Sequence, residues 1–121
     1  MTAYWVDEGR LLAGPYPEDR SALPVDVFVD LTLSIPDFGC PTVDEMRAIL
    51  AGIDAELAAG RRVYVHCHAV IGRTGTVAAC WLVEHGADPE DALALVSARR
   101  GTRSPETDEQ WAFVRAWRPV R

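Results

Sequence analysis

One stretch of the chain, VYVHCHAVIGRTGTVAACWLV over residues 63–83, holds residue types that can do chemistry together. Cys67 closes an apolar run, and Arg73 follows six residues later at the start of another. The residues between them must turn tightly. In such a turn successive backbone N–H groups converge into an anion-binding nest. A helix starting after it adds free N–H groups and its positive dipole end. Arg73 adds a planar, two-pronged donor suited to phosphate. All of these donors aim at one spot above the Cys67 sulfur.

The same positive field favours a thiolate over a thiol, so Cys67 is expected to ionise more easily than a free cysteine. A thiolate facing a phosphate ester is a nucleophile aimed at phosphorus. The donors around it would hold the equatorial oxygens whose charge grows in the transition state. Cys-x5-Arg alone is a weak signal. Here His66 precedes it, Gly72 allows close backbone approach, Thr74 follows, and the setting is strand, loop, helix.

His66-Cys67-His68 invites a metal reading. Neighbouring strand residues point to opposite faces, however, and no second pair has ligand spacing. No metal is expected. An inert core cysteine would explain burial but not Gly72-Arg73-Thr74-Gly75. A third reading uses the same nucleophile for arsenate reduction, with Cys40 as the resolving thiol. A sulfurtransferase is disfavoured, since the longer loop and Arg73-Thr74 suit phosphate.

The elements that position this stretch follow from the pattern. Tyr4 to Gly14 predicts a hairpin closed near Asp7-Glu8-Gly9. A helical turn fits Glu18 to Ala22. Val25 to Leu31 reads as a mostly buried strand. Ser34 to Pro41 is rich in turn formers. Thr42-x-x-Glu45 has capping-box spacing, and Met46, Ile49, Leu50, Ile53 and Leu57 share one helical face up to Gly60. Val63-Tyr64-Val65 is a short buried strand. Arg73 to Glu84, apolar nearly all round, predicts a central helix ended by His85-Gly86. Asp88-Pro89 opens the next helix. Ser104-Pro105-Glu106 is expected to open the last, reaching Trp117. A helix between buried strands implies an α/β fold: a small, mostly parallel central sheet flanked by helices on both faces. The phosphate loop sits at a strand-to-helix junction, where such sheets bind ligands.

The chain has 121 residues, enough for one domain over residues 1–121. Its net charge of −6 argues against nucleic acid or a membrane surface as partner. All twelve basic residues are arginine. Cys40, Cys67 and Cys80 have no disulfide-framework spacing, and the start does not read as a signal peptide. A cytoplasmic monomer without cofactor is expected.

HCHAVIGRTG matches the His-Cys-x5-Arg-Ser/Thr signature of the cysteine-based protein tyrosine phosphatase superfamily. The likeness extends to small bacterial dual-specificity members through GRLLAGPYP, VFVDLT, IPDFGCP and GTRSPETDEQWAFVRAW. The resemblance implies roles. Cys67 would attack phosphorus and form a phosphocysteine, and Arg73 would hold the phosphoryl oxygens. Thr74 would help the sulfur leave, and His66 would support the thiolate structurally. His68, Ala69, Val70, Ile71 and Gly72 would line the phosphate site. Asp37 best matches the general acid, with Asp30 as competitor. The implied activity is metal-independent phosphomonoester hydrolysis, on protein phosphotyrosine first and phosphoserine or phosphothreonine next. The loop has no fixed cation, which disfavours phosphoinositides.

Two departures stand out. Val70 occupies a position that is usually glycine, and the segment before Asp37 is short. A phosphate- or phosphopeptide-binding pseudophosphatase is therefore the alternative. Cys40 could close a protective disulfide with Cys67, although a plain loop cysteine is the simpler reading. Arg99, Arg100 and Arg103 would border the pocket or form a solvated cluster.

Overall fold

A computed structural model describes residues 3–33, 35–36, 39–68 and 72–119. Strands β1 (Tyr4–Asp7) and β2 (Leu11–Gly14) form the expected hairpin, with Gly9 at φ +76° in its turn. That left-handed conformation is why glycine closes it. Two 3-10 turns, Arg20–Ala22 and Leu31–Leu33, flank β3 (Val27–Asp30). Helix α1 (Val43–Ala58), strand β4 (Val63–His66), α2 (Gly72–Glu84), α3 (Pro89–Arg100) and α4 (Asp108–Ala116) follow.

The sheet order is β1-β2-β4-β3, with β4 parallel to both β2 and β3 and only β1 antiparallel. The register aligns Gly14, His66 and Asp30, so the three parallel strands end together. This common edge is where Cys67 emerges.

The two faces are covered differently. Leu11, Ala13, Val63 and Val65 point to one face and join a single apolar cluster with Met46, Ile53, Val77, Leu93 and Val114 of the four helices. Fully burying each such side chain is worth about 1.5–3 kcal/mol. The opposite face carries Leu12, Tyr64 and His66, all buried, and Phe28, half-buried. Helices were expected on both faces, but among the described residues no α-helix covers this one; the segment after β2 does. Tyr64 donates its hydroxyl to the Pro15 carbonyl at 2.6 Å, and the Arg20 guanidinium lies 4.6 Å over the Phe28 ring.

The α1 capping box forms as expected between Thr42 and Glu45. The last helix starts later than expected. Ser104 turns back to α3 instead, exchanging bonds with the Ser97 hydroxyl at 2.9 and 3.0 Å. Thr107 caps α4 and forms a second capping box with Gln110. Thr-x-x-Gln was thus the stronger start signal.

Candidate active site

Cys67 follows the last residue of β4 and is 2% exposed. Its strand is buried along its whole length between β2 and β3. Gly72 opens α2, and Arg73 and Thr74 stand in its first turn, where backbone N–H groups have no partner inside the helix. Arg73 is 8% exposed, and its Nη1 donates to the Ile35 carbonyl at 3.2 Å. The Thr74 hydroxyl is buried without a hydrogen-bond partner among the described residues. Ala69, Val70 and Ile71, expected in the phosphate site, lie outside the described residues, as does Asp37. His68 is exposed, and its carbonyl accepts the Tyr16 N–H at 3.2 Å.

The start of α2 is wedged by the α3–α4 connection. A Cβ on Gly75 would collide with the Ser104 hydroxyl and lie 3.1 Å from Pro105 Cα. A Cβ on Gly72 would lie 2.9 Å from both amide atoms of Gln110. The close approach expected at Gly72 is thus made, at least in part, by a side chain of the protein itself.

Two buried tyrosines are coupled electrostatically to Cys67. Burial pushes the Tyr64 phenol up to about 12, with Cys67 adding to the effect. Burial also pushes Tyr4 up, Arg100 opposing and Cys67 reinforcing. Both phenols stay protonated at neutral pH.

His66 is fully buried on the opposite face. It stacks 5.5 Å from Tyr64, with the edge of Tyr16 at 5.2 Å. Burial lowers its pKa, while Asp30 and the Cys67 backbone pull the other way more weakly. It is a neutral ring in an aromatic cage. Asp30 presents a different case. Burial raises its pKa, but the Thr32 hydroxyl at 2.6 Å and N–H at 2.9 Å, with His66 and Arg20, leave it lowered overall. Its carboxylate is kept ionised, which suits a proton donor poorly.

The described residues between Leu31 and Pro41 are held by local and long-range ties. Ile35 is 2% exposed, and its N–H returns to the Leu31 carbonyl at 3.0 Å. Gln110, fully buried, donates from Nε2 to the Gly39 carbonyl at 3.1 Å. Cys40 is half-buried, its thiol pushed up by burial and then by Glu109.

Other candidates are engaged elsewhere. Arg99 donates to the Trp5 carbonyl at 2.6 Å, and Arg103 to Glu106 and Asp108. Cys80 is a core residue. His85 stacks on Trp81 at 4.0 Å and meets Asp54 at 3.0 Å, a helix-end arrangement. Among the described residues no cluster of His, Cys, Asp and Glu could hold a metal ion. None of the described helices is long and apolar enough to cross a membrane. Sequence reasoning gave no role to Tyr16, Tyr4 or Gln110. Of these, Gln110 carried a readable signal, the cap spacing from Thr107.

The chain is similar to known proteins in sequence and in fold. The chain is 38% identical over 84 residues to an uncharacterised protein of Methanocaldococcus jannaschii, covering 69% of this chain and 56% of the relative. A second protein of that organism is 36% identical, with 52% of its length covered. The chain therefore spans about half the length of these curated relatives. The crystal structure of Tk-PTP in the active form is 28% identical, with a TM-score of 0.81 over 93% of this chain and 92% of that one. PTPMT1 shares the fold at 20% identity, with a TM-score of 0.79 over 96% and 93% of the two chains. Residues 14–87 match the family described as Tc-R-P, polymorphic toxin system, DSP-PTPase phosphatase. With that match running from the end of β2 through Cys67, Arg73 and the whole of α2, the chain belongs to the DSP-PTPase family, within the cysteine-based protein tyrosine phosphatase superfamily.

Proposed function

We propose that the chain is one metal-independent phosphatase domain that hydrolyses phosphomonoesters through a phosphocysteine. The observation that carries this reading is the junction of β4 and α2. It holds Cys67 at a buried strand end and a buried Arg73 bonded to the segment that contains Asp37. Cys67 Sγ attacks phosphorus as the ester oxygen leaves and takes a proton from Asp37. Arg73, the α2 N-terminus and the loop of residues 68–72 hold the equatorial oxygens. Water then attacks phosphorus and gives a proton back to Asp37, while the Thr74 hydroxyl donates to the departing sulfur. Asp37 is preferred over Asp30 because Asp30 is held ionised by Thr32. The substrate is a phosphorylated protein, phosphotyrosine first and phosphoserine or phosphothreonine next, met by a monomer in the cytoplasm. A neighbour at 18% identity, PTPMT1, has been crystallised with PI(5)P. Arsenate reduction is disfavoured, since burial and Glu109 keep Cys40 a protonated thiol, unlike an effective resolving thiol.

The test is hydrolysis of a fluorogenic aryl phosphate with a chelator present. Turnover that Cys67→Ser abolishes and vanadate inhibits is expected. Asp37→Asn should lower it as well; if that variant leaves turnover untouched, Asp37 is not the acid. Val70, where glycine is usual, favours one rival. Vanadate binding with no turnover would identify a phosphate-binding pseudophosphatase.

A further inference from the structure

The segment of residues 35–40 is tied to the catalytic body on both sides of Asp37. Two residues before it, the Ile35 carbonyl accepts from Arg73 at 3.2 Å. Two residues after it, the Gly39 carbonyl accepts from Gln110 at 3.1 Å, across 71 residues of chain. The first tie comes from the expected phosphate-binding arginine. The second comes from a residue in α4 that the proposed chemistry does not use.

The amide of Gln110 is fully engaged on two sides. Its Oε1 accepts the N–H groups of Glu106 and Thr107, both at 3.0 Å, which completes the α4 cap. Its Nε2 is left to donate to Gly39. The same amide lies against Gly72, the last residue before Arg73, where a Cβ would stand 2.9 Å from both amide atoms. One fully buried side chain therefore touches the C-terminal end of the phosphate loop, the acid-bearing segment and the cap of α4. An amide can do this because it carries an acceptor and a donor on one planar group. A carboxylate offers acceptors alone, and a methionine offers neither.

We infer that Gln110 is a positioning residue that sets the spacing between the acid-bearing segment and the phosphate loop. This rests on the phosphatase reading above for its catalytic meaning. Among the described residues Gln110 touches no reacting group; it acts through Gly39 and Gly72. Losing its donor should weaken proton delivery more than phosphate capture.

Gln110→Glu separates the two halves of the amide, since it keeps the cap acceptors and removes the Gly39 donor. Gln110→Met removes both. Each is compared with wild type on two aryl phosphates, one with a good leaving group (nitrophenyl) and one with a poor one (phenyl). Proton transfer matters more for the poor one. Gln110→Glu should lower kcat for phenyl phosphate by about tenfold more than for nitrophenyl phosphate. The extra loss should vanish when Asp37→Asn is already present, because both changes act on one step. Equal losses on the two esters, or full additivity with Asp37→Asn, would overturn the inference. Amide hydrogen exchange provides a readout free of turnover. The amides of residues 35–40 should exchange faster in Gln110→Glu, while those of Glu106 and Thr107 stay protected. Unchanged exchange in residues 35–40 would refute the tie, even if the wild type proved inactive. Absence of Cys67-dependent turnover in wild type, with exchange changed as expected, would instead refute the phosphatase reading.

Discussion

The two halves of the candidate site are built in opposite ways. The nucleophile half is continuous in sequence, with Cys67 and Arg73 six residues apart and a buried strand and a buried helix on either side. The acid half has little of its own. Its described residues between Leu31 and Pro41 include one short 3-10 turn and are held from outside, by Arg73 at Ile35 and by Gln110 at Gly39. The first half inherits its geometry from regular elements. The second borrows its geometry from residues 38 and 71 positions away. On the proposed reading, phosphate capture is anchored in the core, while proton delivery depends on tertiary packing.

Arg73 is common to both halves, and replacing it should have the largest effect. Arg73→Lys retains the charge but loses the fork that can hold phosphate and reach Ile35. A drop in kcat of about 10²–10³-fold is expected in steady-state kinetics. A small drop would mean that charge alone suffices and that the halves are not linked through this residue.

The rigidity of the nucleophile half is tested at Gly75. An added methyl meets the Ser104 hydroxyl and the Pro105 backbone. Gly75→Ala should destabilise the fold by about 1–3 kcal/mol in chemical denaturation, as overpacking typically does. An unchanged midpoint would show that the α3–α4 connection yields.

The acid half has a local anchor where it enters α1. Thr42→Ala removes the acceptor for the Glu45 N–H and leaves that end of residues 31–41 uncapped. The expected cost is about 1 kcal/mol. Because this half relies on distant ties as well, phosphate-ester turnover in folded protein should fall less than stability does.

The smallest effect concerns pH. Burial holds the folded-state pKa of His66 below its ordinary 6.5. Below 6.5 the unfolded chain takes up a proton that the folded ring resists. The contribution of neutral His66 is therefore fully present above that pH and is lost as pH falls from it through the lower folded-state value. Stability measured from pH 7.5 to 5.5 should decline on acidification, and His66→Asn should flatten the slope. An equal slope in both proteins would show that His66 is not the group responsible.

Much of the fold was legible because it rests on local signals. Thr42-x-x-Glu45 announced α1, Asp88-Pro89 announced α3, and Gly9 the hairpin. The start of α4 was misplaced at Ser104-Pro105-Glu106, because Ser104 finds a partner in Ser97 that no local pattern reveals. The covering of the sheet's second face by residues 15–25, rather than by an α-helix, was equally invisible. It depends on Tyr64 reaching Pro15 and Arg20 reaching Phe28.

The order of residues along the chain was enough to place Cys67 at the end of a buried strand and Arg73 at the start of a buried helix. A strand end, a tight turn and a helix start are neighbours in space whenever they are neighbours in sequence. Long-range packing had to supply the rest. It ties Ile35 to Arg73 and Gly39 to Gln110, and it sets Gln110 against Gly72. Each of these is a contact between distant segments, and short-range periodicity and capping carry no information about such contacts.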